Sequence, residues 1–499
     1  MLEVTVFVCG ALVMTFEIIG SRILSPFIGA STYIWTSLIG VILASLSLGY
    51  WLGGRAADRR PDVKYLAGIL VVASGLISLS ALIKEILLSK IAGLPAGLEI
   101  KALIAATLLF APASVCLGFV TPFAVRLRMT AVETTGQTVG RLYALSTIGS
   151  IVGTFAAGFF LIPFVGSVRT LYLIAGTLLL LALTLVPLAI TKPVVASVIL
   201  LVLGIMASEA NSYLLRSTSD LHDIDTEYSR IQIFTTEEAA TGREFRALAT
   251  DPYFVQSAQY LDSDELVLKY APFYHLIRYF QPDLNDTLII GGAGYTFPME
   301  YLRVYERARL DVVEIDPQMT EIARRFFRLK DDPRMNIIHE DGRMFVNRAE
   351  TGKYDAILMD AFGSLFSVPA HLMTIEAVSH MNRILKPDGV VVFNLGSAIT
   401  GPGSHFLNAE LATYKQVFPS VYVFKVNLGY PDERLQNLMI VASKSSDPFA
   451  RATSDPRIAS LLEHRYLNEI PLRKPIFTDD LAPVEYYNSI AQNLYLSER

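Results

Sequence analysis

The sequence predicts a multi-pass α-helical membrane domain followed by a doubly wound α/β domain, with a small antiparallel β-sheet between them. Three observations carry this. Residues 1–192 hold only 20 charged residues, 13 basic and 7 acidic, in a chain of 499 residues that is 52% hydrophobic. The run LIIGGAGYTFPMEYLRVYERARLDVVEIDP at 288–317 passes from an apolar segment through a Gly-rich turn and a helix to a second apolar segment closed by an acid. An open parallel sheet builds a nucleoside pocket in this way. Beyond residue 287, apolar runs (LIIGG, DVVEID, NIIHED, DAILMDAF, GVVVFNL) alternate with helical stretches (PMEYLRVYER, MTEIARRFF, TIEAVSHMNRIL), the pattern of a parallel sheet with crossover helices. The predicted boundaries are 1–210 for the membrane helices, 211–285 for the small β-domain and 286–499 for the nucleoside-binding domain.

The amino-terminal run MLEVTVFVCGALVMTFEIIGSRIL has no basic region ahead of it and no small-residue cleavage pattern, so it reads as a retained span. Apolar stretches of membrane-crossing length follow at 33–54, 65–88, 102–125, 142–165 and 170–190, with a shorter one at 193–208. Small residues crowd GSIVGTFAAGFF at 149–160, which lets helix backbones approach closely in lipid. Lysine and arginine in the short loops orient the bundle. Arg55, Arg59, Arg60, Lys64, Arg126, Arg128, Arg141 and Lys192 fall on one side, and Arg22, Lys84, Lys90, Lys101 and Arg169 on the other. This bias favours a cytoplasmic amino terminus. Six spans return the chain to the cytoplasm, where adenosine-type metabolites are found, so either 193–208 is an interfacial or re-entrant helix or the basic-residue bias misorients the bundle.

Charge and composition exclude some functions. The first 192 residues carry +6, which leaves −11 for the rest of a chain with net charge −5. An acidic soluble half lacks the basic patch that nucleic-acid phosphates require. The two cysteines, Cys9 and Cys116, lie in apolar segments, and the seven histidines show no paired ligand spacing. Neither a disulfide framework nor a metal site is expected.

Residues 209–280 contain alternating segments, SRIQIFTT and EFRALAT, separated by GR and DP turns, which predicts the small antiparallel sheet. In the α/β half, Gly291, Gly292 and Gly294 permit a tight turn that brings a nucleoside close to the backbone. A turn of this kind is equally often a plain strand-to-helix connection. Glu314, 23 residues past Gly291 at the end of the second strand, is placed to accept both ribose hydroxyls, with an exposed strand-end carboxylate as the alternative. Asp316 precedes Pro317 and reads as a helix cap. Asp360 closes the fourth strand, where a carboxylate beside an incoming amine can take its proton; a strand-end cap is the alternative. Tyr274 and His275 read as core aromatics or as the pocket mouth, and Asp479 with Asp480 as a turn or a cover over the site.

The segments DTEYSRIQIF, FVQSAQYLDSDELVLKY, the glycine turn, VVEIDP, DDPRMNIIHEDGRMFV, YDAILMDAF and ILKPDGVVVFN, in this order, resemble the spermidine synthase family of aminopropyltransferases over about residues 225–490. With its amino-terminal spans the whole chain looks like the membrane-fused spermidine synthase-like proteins. The resemblance implies a Rossmann-like domain of the class I methyltransferase type. It implies decarboxylated S-adenosylmethionine as donor, a polyamine such as putrescine as acceptor, and no metal. It makes Asp360 the base, brings Asp341 and Gly342 to the adenine amino group, and matches Gln256 and Tyr228 to substrate-side positions.

Two departures accompany it. The family's GGGDGG is GGAGYT here, with Gly294 at the acidic position, and its D-S-S-D-like loop is DAFGSLF, with Gly363 at the second acid. Tyr295 or Asp264 are the candidates to replace them. S-adenosylmethionine with methyl transfer is therefore the alternative chemistry, and a non-catalytic nucleoside- or polyamine-binding membrane protein the alternative class. The expected setting is the inner cell membrane with the catalytic domain in the cytoplasm; lipid is a partner, nucleic acid is not, and a homodimer is left open.

Overall fold

The computed structural model describes residues 1–28, 32–129, 135–186, 192–251, 254–361, 368–446, 449 and 452–497. The chain forms two compact units, Met1–Ile231 and Gln232–Arg499.

The first unit is a bundle of long apolar helices: α1 (Leu2–Ile28), α2 (Thr32–Arg59), α3 (Val63–Ala92), α4 (Leu98–Gly118) running on into α5 (Val120–Arg128), and α6 (Thr135–Ala156), which passes through a π-helical turn into α7 (Ile162–Val165). Then come α8 (Ser167–Leu185) and α9 (Lys192–Ser219). Among the described residues, six stretches are long and apolar enough to cross a membrane: Leu2–Ile28, Thr32–Arg59, Val63–Ala92, Leu98–Arg128, Thr135–Val165 and Ser167–Leu185. The segment 193–208, expected as an interfacial or re-entrant helix, is the apolar first part of helix α9 and is shorter than the six candidate spans.

Glycine sets how closely these helices meet. A Cβ on Gly149 would lie 2.0 Å from the carbonyl oxygen of Phe7, and one on Gly153 would lie 2.1 Å from that of Ala11. The α1 and α6 backbones are therefore in direct contact, running parallel. Gly49 and Gly118 do the same for α2 and α4. At the end of the bundle where α1 starts, Glu3 pairs with Arg141 at 3.0 Å and Asp58 with Arg126 at 3.4 Å. At the other end, where α1 finishes and α8 starts, β1 (His222–Asp225) docks: the Ser167 backbone N–H donates to Asp225 Oδ2 at 2.8 Å, and Arg22 donates to the Glu227 carbonyl.

A four-stranded sheet follows in the order β1, β2 (Arg230–Glu237), β3 (Glu244–Asp251), β4 (Phe254–Tyr260), with β2–β3 and β3–β4 antiparallel. After α10 (Ile277–Phe280) the chain enters the α/β domain: β5 (Asp286–Ile290), α11 (Thr296–Val304), β6 (Arg309–Glu314), α12 (Pro317–Phe326), β7 (Met335–His339), α13 (Gly342–Arg348), β8 (Tyr354–Met359), α14 (Ile375–Ile384), β9 (Leu385–Ser397), α15 (His405–Tyr414), β10 (Ser420–Lys425), β11 (Gln436–Ser443), α16 (Pro456–Leu462) and α17 (Val484–Ser497). The seven strands lie in the order β10-β11-β9-β8-β5-β6-β7. β5 to β9 are parallel, and β10 and β11 add an antiparallel edge.

Alternate residues of the central strands feed two cores, as the two-residue pleat requires. Leu288, Ile290, Ile357, Met359 and Phe393 pack on one face, and Ile289, Leu358, Val390 and Val392 on the other. This is the predicted fold: apolar amino-terminal helices, a small antiparallel sheet, then a Rossmann-like, methyltransferase-type domain.

Candidate functional site

From β5 the strand order runs one way to β6 and β7 and the other way to β8 and β9. Ligands of such sheets bind outside the carboxyl ends of the strands at this reversal, and two features of the chain meet there.

The first is the glycine turn. Gly291 has φ 98, and a Cβ on it would lie 2.4 Å from the carbonyl oxygen of Asp360, so only glycine lets the chain leave β5 past the end of β8. Ala293 (φ 43) and Tyr295 (φ 55) also take left-handed conformations, which are costly for side chains with a Cβ. Two clamps hold them. The Tyr295 ring is fully buried over Gly292, and its hydroxyl bonds Thr320 Oγ1 at 2.7 Å. Glu314, at the end of β6, accepts from the backbone N–H groups of Gly292 (2.8 Å) and Ala293 (3.1 Å) through Oε2, and from Asp316 (3.0 Å) through Oε1. Burial raises its pKa above the ordinary carboxylate range, and the three N–H groups oppose that rise.

The second is Asp360. Its Oδ2 accepts from the Tyr270 hydroxyl at 2.9 Å, while the neighbouring Tyr274 hydroxyl donates to the Met359 carbonyl at 3.2 Å. The residue is half-buried, and desolvation of its carboxyl pushes the pKa up to about 6 against hydrogen bonds from Tyr270, Tyr274 and Asn394. It borders a pocket whose walls include Gln256, Gly291 and Gly292, with Phe254, Leu268 and Phe297 as apolar surface. Ser257 and Thr296 face each other at 3.3 Å in the same wall.

Gln256, Gly291, Gly292 and Asp360 thus share one cavity, with Glu314 bonded to its floor. Gly294 turns away from it: a Cβ there would meet Ser257 Oγ at 2.5 Å and the Phe327 ring at 3.1 Å. Asp341 caps α13, accepting from Met344 N–H at 3.0 Å and lying 3.3 Å from His371 Nε2. Gly342 packs on Ile290.

Asp264 is exposed, 3.7 Å from Arg328, and is not in the pocket wall. Tyr228 belongs to the first unit and is 46% exposed. Tyr295, the other candidate to replace a carboxylate, directs its hydroxyl at Thr320. Gly363 lies outside the described residues. Asp316 caps α12 through Gln318 N–H. Asp479 pairs with Arg343 at 2.8 Å and accepts from Thr374 at 2.6 Å. Sequence reasoning missed Tyr270 and Asn394. A signal existed for Asn394, the one polar residue in the buried run Val390–Leu395. Tyr270 had none.

Fold and site together define a Rossmann-like, methyltransferase-type domain with a pocket at the point where the strand order reverses. Residues 272–448 match the family described as spermine/spermidine synthase domain. The matched stretch lies in the α/β domain, behind the amino-terminal apolar helices. The chain is 29% identical over 236 residues to the polyamine aminopropyltransferase of Vibrio vulnificus, covering 46% of this chain and 75% of that one. It is 25% identical over 449 residues to polyamine aminopropyltransferase 1 of Streptomyces coelicolor, covering 82% of this chain and 78% of that one. The second match reaches back into the apolar helices. Among solved structures, a probable spermidine synthase from Corynebacterium glutamicum aligns with a TM-score of 0.41 and 22% identity, over 49% of this chain and 86% of that one.

Proposed function

We propose that the protein is a membrane-anchored aminopropyltransferase that moves the aminopropyl group of decarboxylated S-adenosylmethionine to a primary amine of the polyamine class. The observation that carries this is the half-buried carboxylate of Asp360, held by Tyr270 at the wall of the pocket beside the glycine turn. The family match and the names of the relatives support the reaction class.

In this reading the amine nitrogen attacks the carbon beside the sulfonium. A C–N bond forms, the C–S bond breaks with its electron pair going to sulfur, and methylthioadenosine leaves. The proton shed by nitrogen goes to Asp360, whose pKa of about 6 suits a base working near neutrality. Tyr270 holds that carboxylate in place. The turn at Gly291–Tyr295 carries the nucleoside, and Glu314 fixes the turn and offers its remaining lone pair to the ribose. The helices tie the domain to the bilayer, with the nucleoside pocket facing the cytoplasm.

One observation favours a second reading. A Cβ on Gly294 would meet Ser257 at 2.5 Å, and among the described residues of the pocket wall Asp360 is the only carboxylate, which leaves none for the donor's terminal ammonium. S-adenosylmethionine neutralises that ammonium internally, so methyl transfer is the competing chemistry. Incubating the purified full-length chain with either donor and a panel of amines, followed by mass spectrometry, separates the cases. Methylthioadenosine marks aminopropyl transfer and S-adenosylhomocysteine marks methyl transfer. Nucleoside binding without either product would leave the non-catalytic binding protein as the reading.

A further inference from the structure

The pocket holds fewer counter-charges than a diamine needs. Among the described residues of its wall, Asp360 is the only carboxylate. Glu314 is taken up by three backbone N–H groups. The acids that follow β4 are exposed and engaged elsewhere: Asp262 and Glu265 by Arg243 at 2.9 and 2.7 Å, and Asp264 near Arg328. The segments Pro252–Tyr253 and FGSLFS at 362–367 contain no charged residue in the sequence. The rest of the wall is apolar or neutral, chiefly Phe254, Leu268 and Phe297.

We propose, resting on the transferase reading above, that within the polyamine class the acceptor is a primary amine whose other end carries no charge, an N-acylated amine and not a free diamine, with an alkylamine as the simplest probe of such an uncharged end. The single carboxylate serves the nitrogen that reacts. A second ammonium on the same molecule would be desolvated against Leu268 and the two phenylalanine rings with no partner, and an unpaired buried cation is strongly disfavoured. A ring face attracts an ammonium more weakly than a carboxylate does. An alkyl or acyl tail gains from the same surface by leaving water.

The test uses the full-length chain in detergent with each nucleoside donor and four acceptors: hexylamine, N-acetylputrescine, putrescine and cadaverine. The readout is nucleoside product and the mass of the alkylated amine. The expected result is a kcat/KM for hexylamine and N-acetylputrescine about tenfold or more above that for putrescine and cadaverine. Equal or better use of the free diamines overturns the inference while leaving the transferase reading intact. Absence of nucleoside product with all four amines overturns both. Leu268→Glu supplies a second carboxylate and should move the ratio toward putrescine by about tenfold; a ratio that does not move counts against the assignment of this wall.

Discussion

Asp360 is kept at a cost to the fold. Its carboxyl titrates at about 6 where the unperturbed group titrates at 3.8, so the folded state disfavours its ionised form. Below pH 3.8 the group is neutral folded or unfolded and the cost is absent; it grows as pH rises to 6 and is constant above, at about 3 kcal/mol. Asp360→Asn preserves the shape and can still accept from Tyr270. At pH 7.5 the variant should be more stable to urea than the parent, by up to about 3 kcal/mol, with the difference vanishing near pH 4. Turnover should fall about 100-fold or more while nucleoside affinity is retained. In the parent, kcat should drop as pH falls through 6, because the base is then protonated. A variant with unchanged turnover would remove Asp360 from the chemistry. Glu314→Gln makes a different kind of change. The amide oxygen can keep either the Gly292 and Ala293 N–H groups or the Asp316 one, while the nitrogen facing the other side cannot accept, so nucleoside affinity measured by calorimetry should fall by an amount on the order of 1.5–3 kcal/mol per charged hydrogen bond lost, and the melting temperature should fall with it.

At the level of elements, the turn between β5 and α11 combines parts the sequence displays with parts it hides. Three glycines after an apolar run announce a tight turn, and an acid at the end of the next strand announces its partner. That Ala293 and Tyr295 also adopt positive φ was not legible, because only the assembled contacts with Glu314 and Thr320 make those conformations tolerable. Tyr270 was hidden for a similar reason. It sits in a short 3₁₀-flanked segment whose direction is set by packing against the sheet and by no periodic pattern. The parallel strands were legible, since burial on both faces leaves continuous apolar runs. Gly294 shows the limit of reading a motif by position. A missing acid suggests an empty subsite, yet the space beside Gly294 is filled by Ser257 and Phe327. Gly294→Asp should therefore lower the melting temperature and weaken nucleoside binding, and should not improve use of diamines in the acceptor assay.

At the scale of the whole chain, helix direction settles what counting apolar runs left open. α9 lies along two helices of fixed sense: Ser197 donates to the Val71 carbonyl at 2.9 Å, and Gly204 lies against the Tyr172 ring. It therefore runs from the end of α8 back toward the start of α8, where Asp225 meets Ser167. Val198, Ile199, Val202, Leu203 and Met206 are exposed along it, as on a lipid-facing helix. We expect α9 to cross as a seventh span, with the loop at Pro61 and the residues after α9 on opposite sides of the bilayer. In a background lacking Cys9 and Cys116, Pro61→Cys and Ala240→Cys should give opposite results with an impermeant thiol reagent, one labelled in intact cells and the other only after lysis. Identical behaviour would return α9 to the membrane surface. Which site is shielded then decides between the loop-charge bias, eight basic residues against five, and the cytoplasmic supply of nucleoside as the factor that orients the chain.

The contact of Gly149 and Gly153 with the carbonyls of Phe7 and Ala11 limits how the bundle can work. A carrier that alternates its opening between two sides must slide or part its helices by several ångströms. Backbones already touching at glycine lose their attraction steeply with a fraction of an ångström of separation and have no long side chains to bridge a gap. The α1–α6 pair is in this sense a fixed keel that moves as one body, so any cycle of opening would have to part other helices of the bundle.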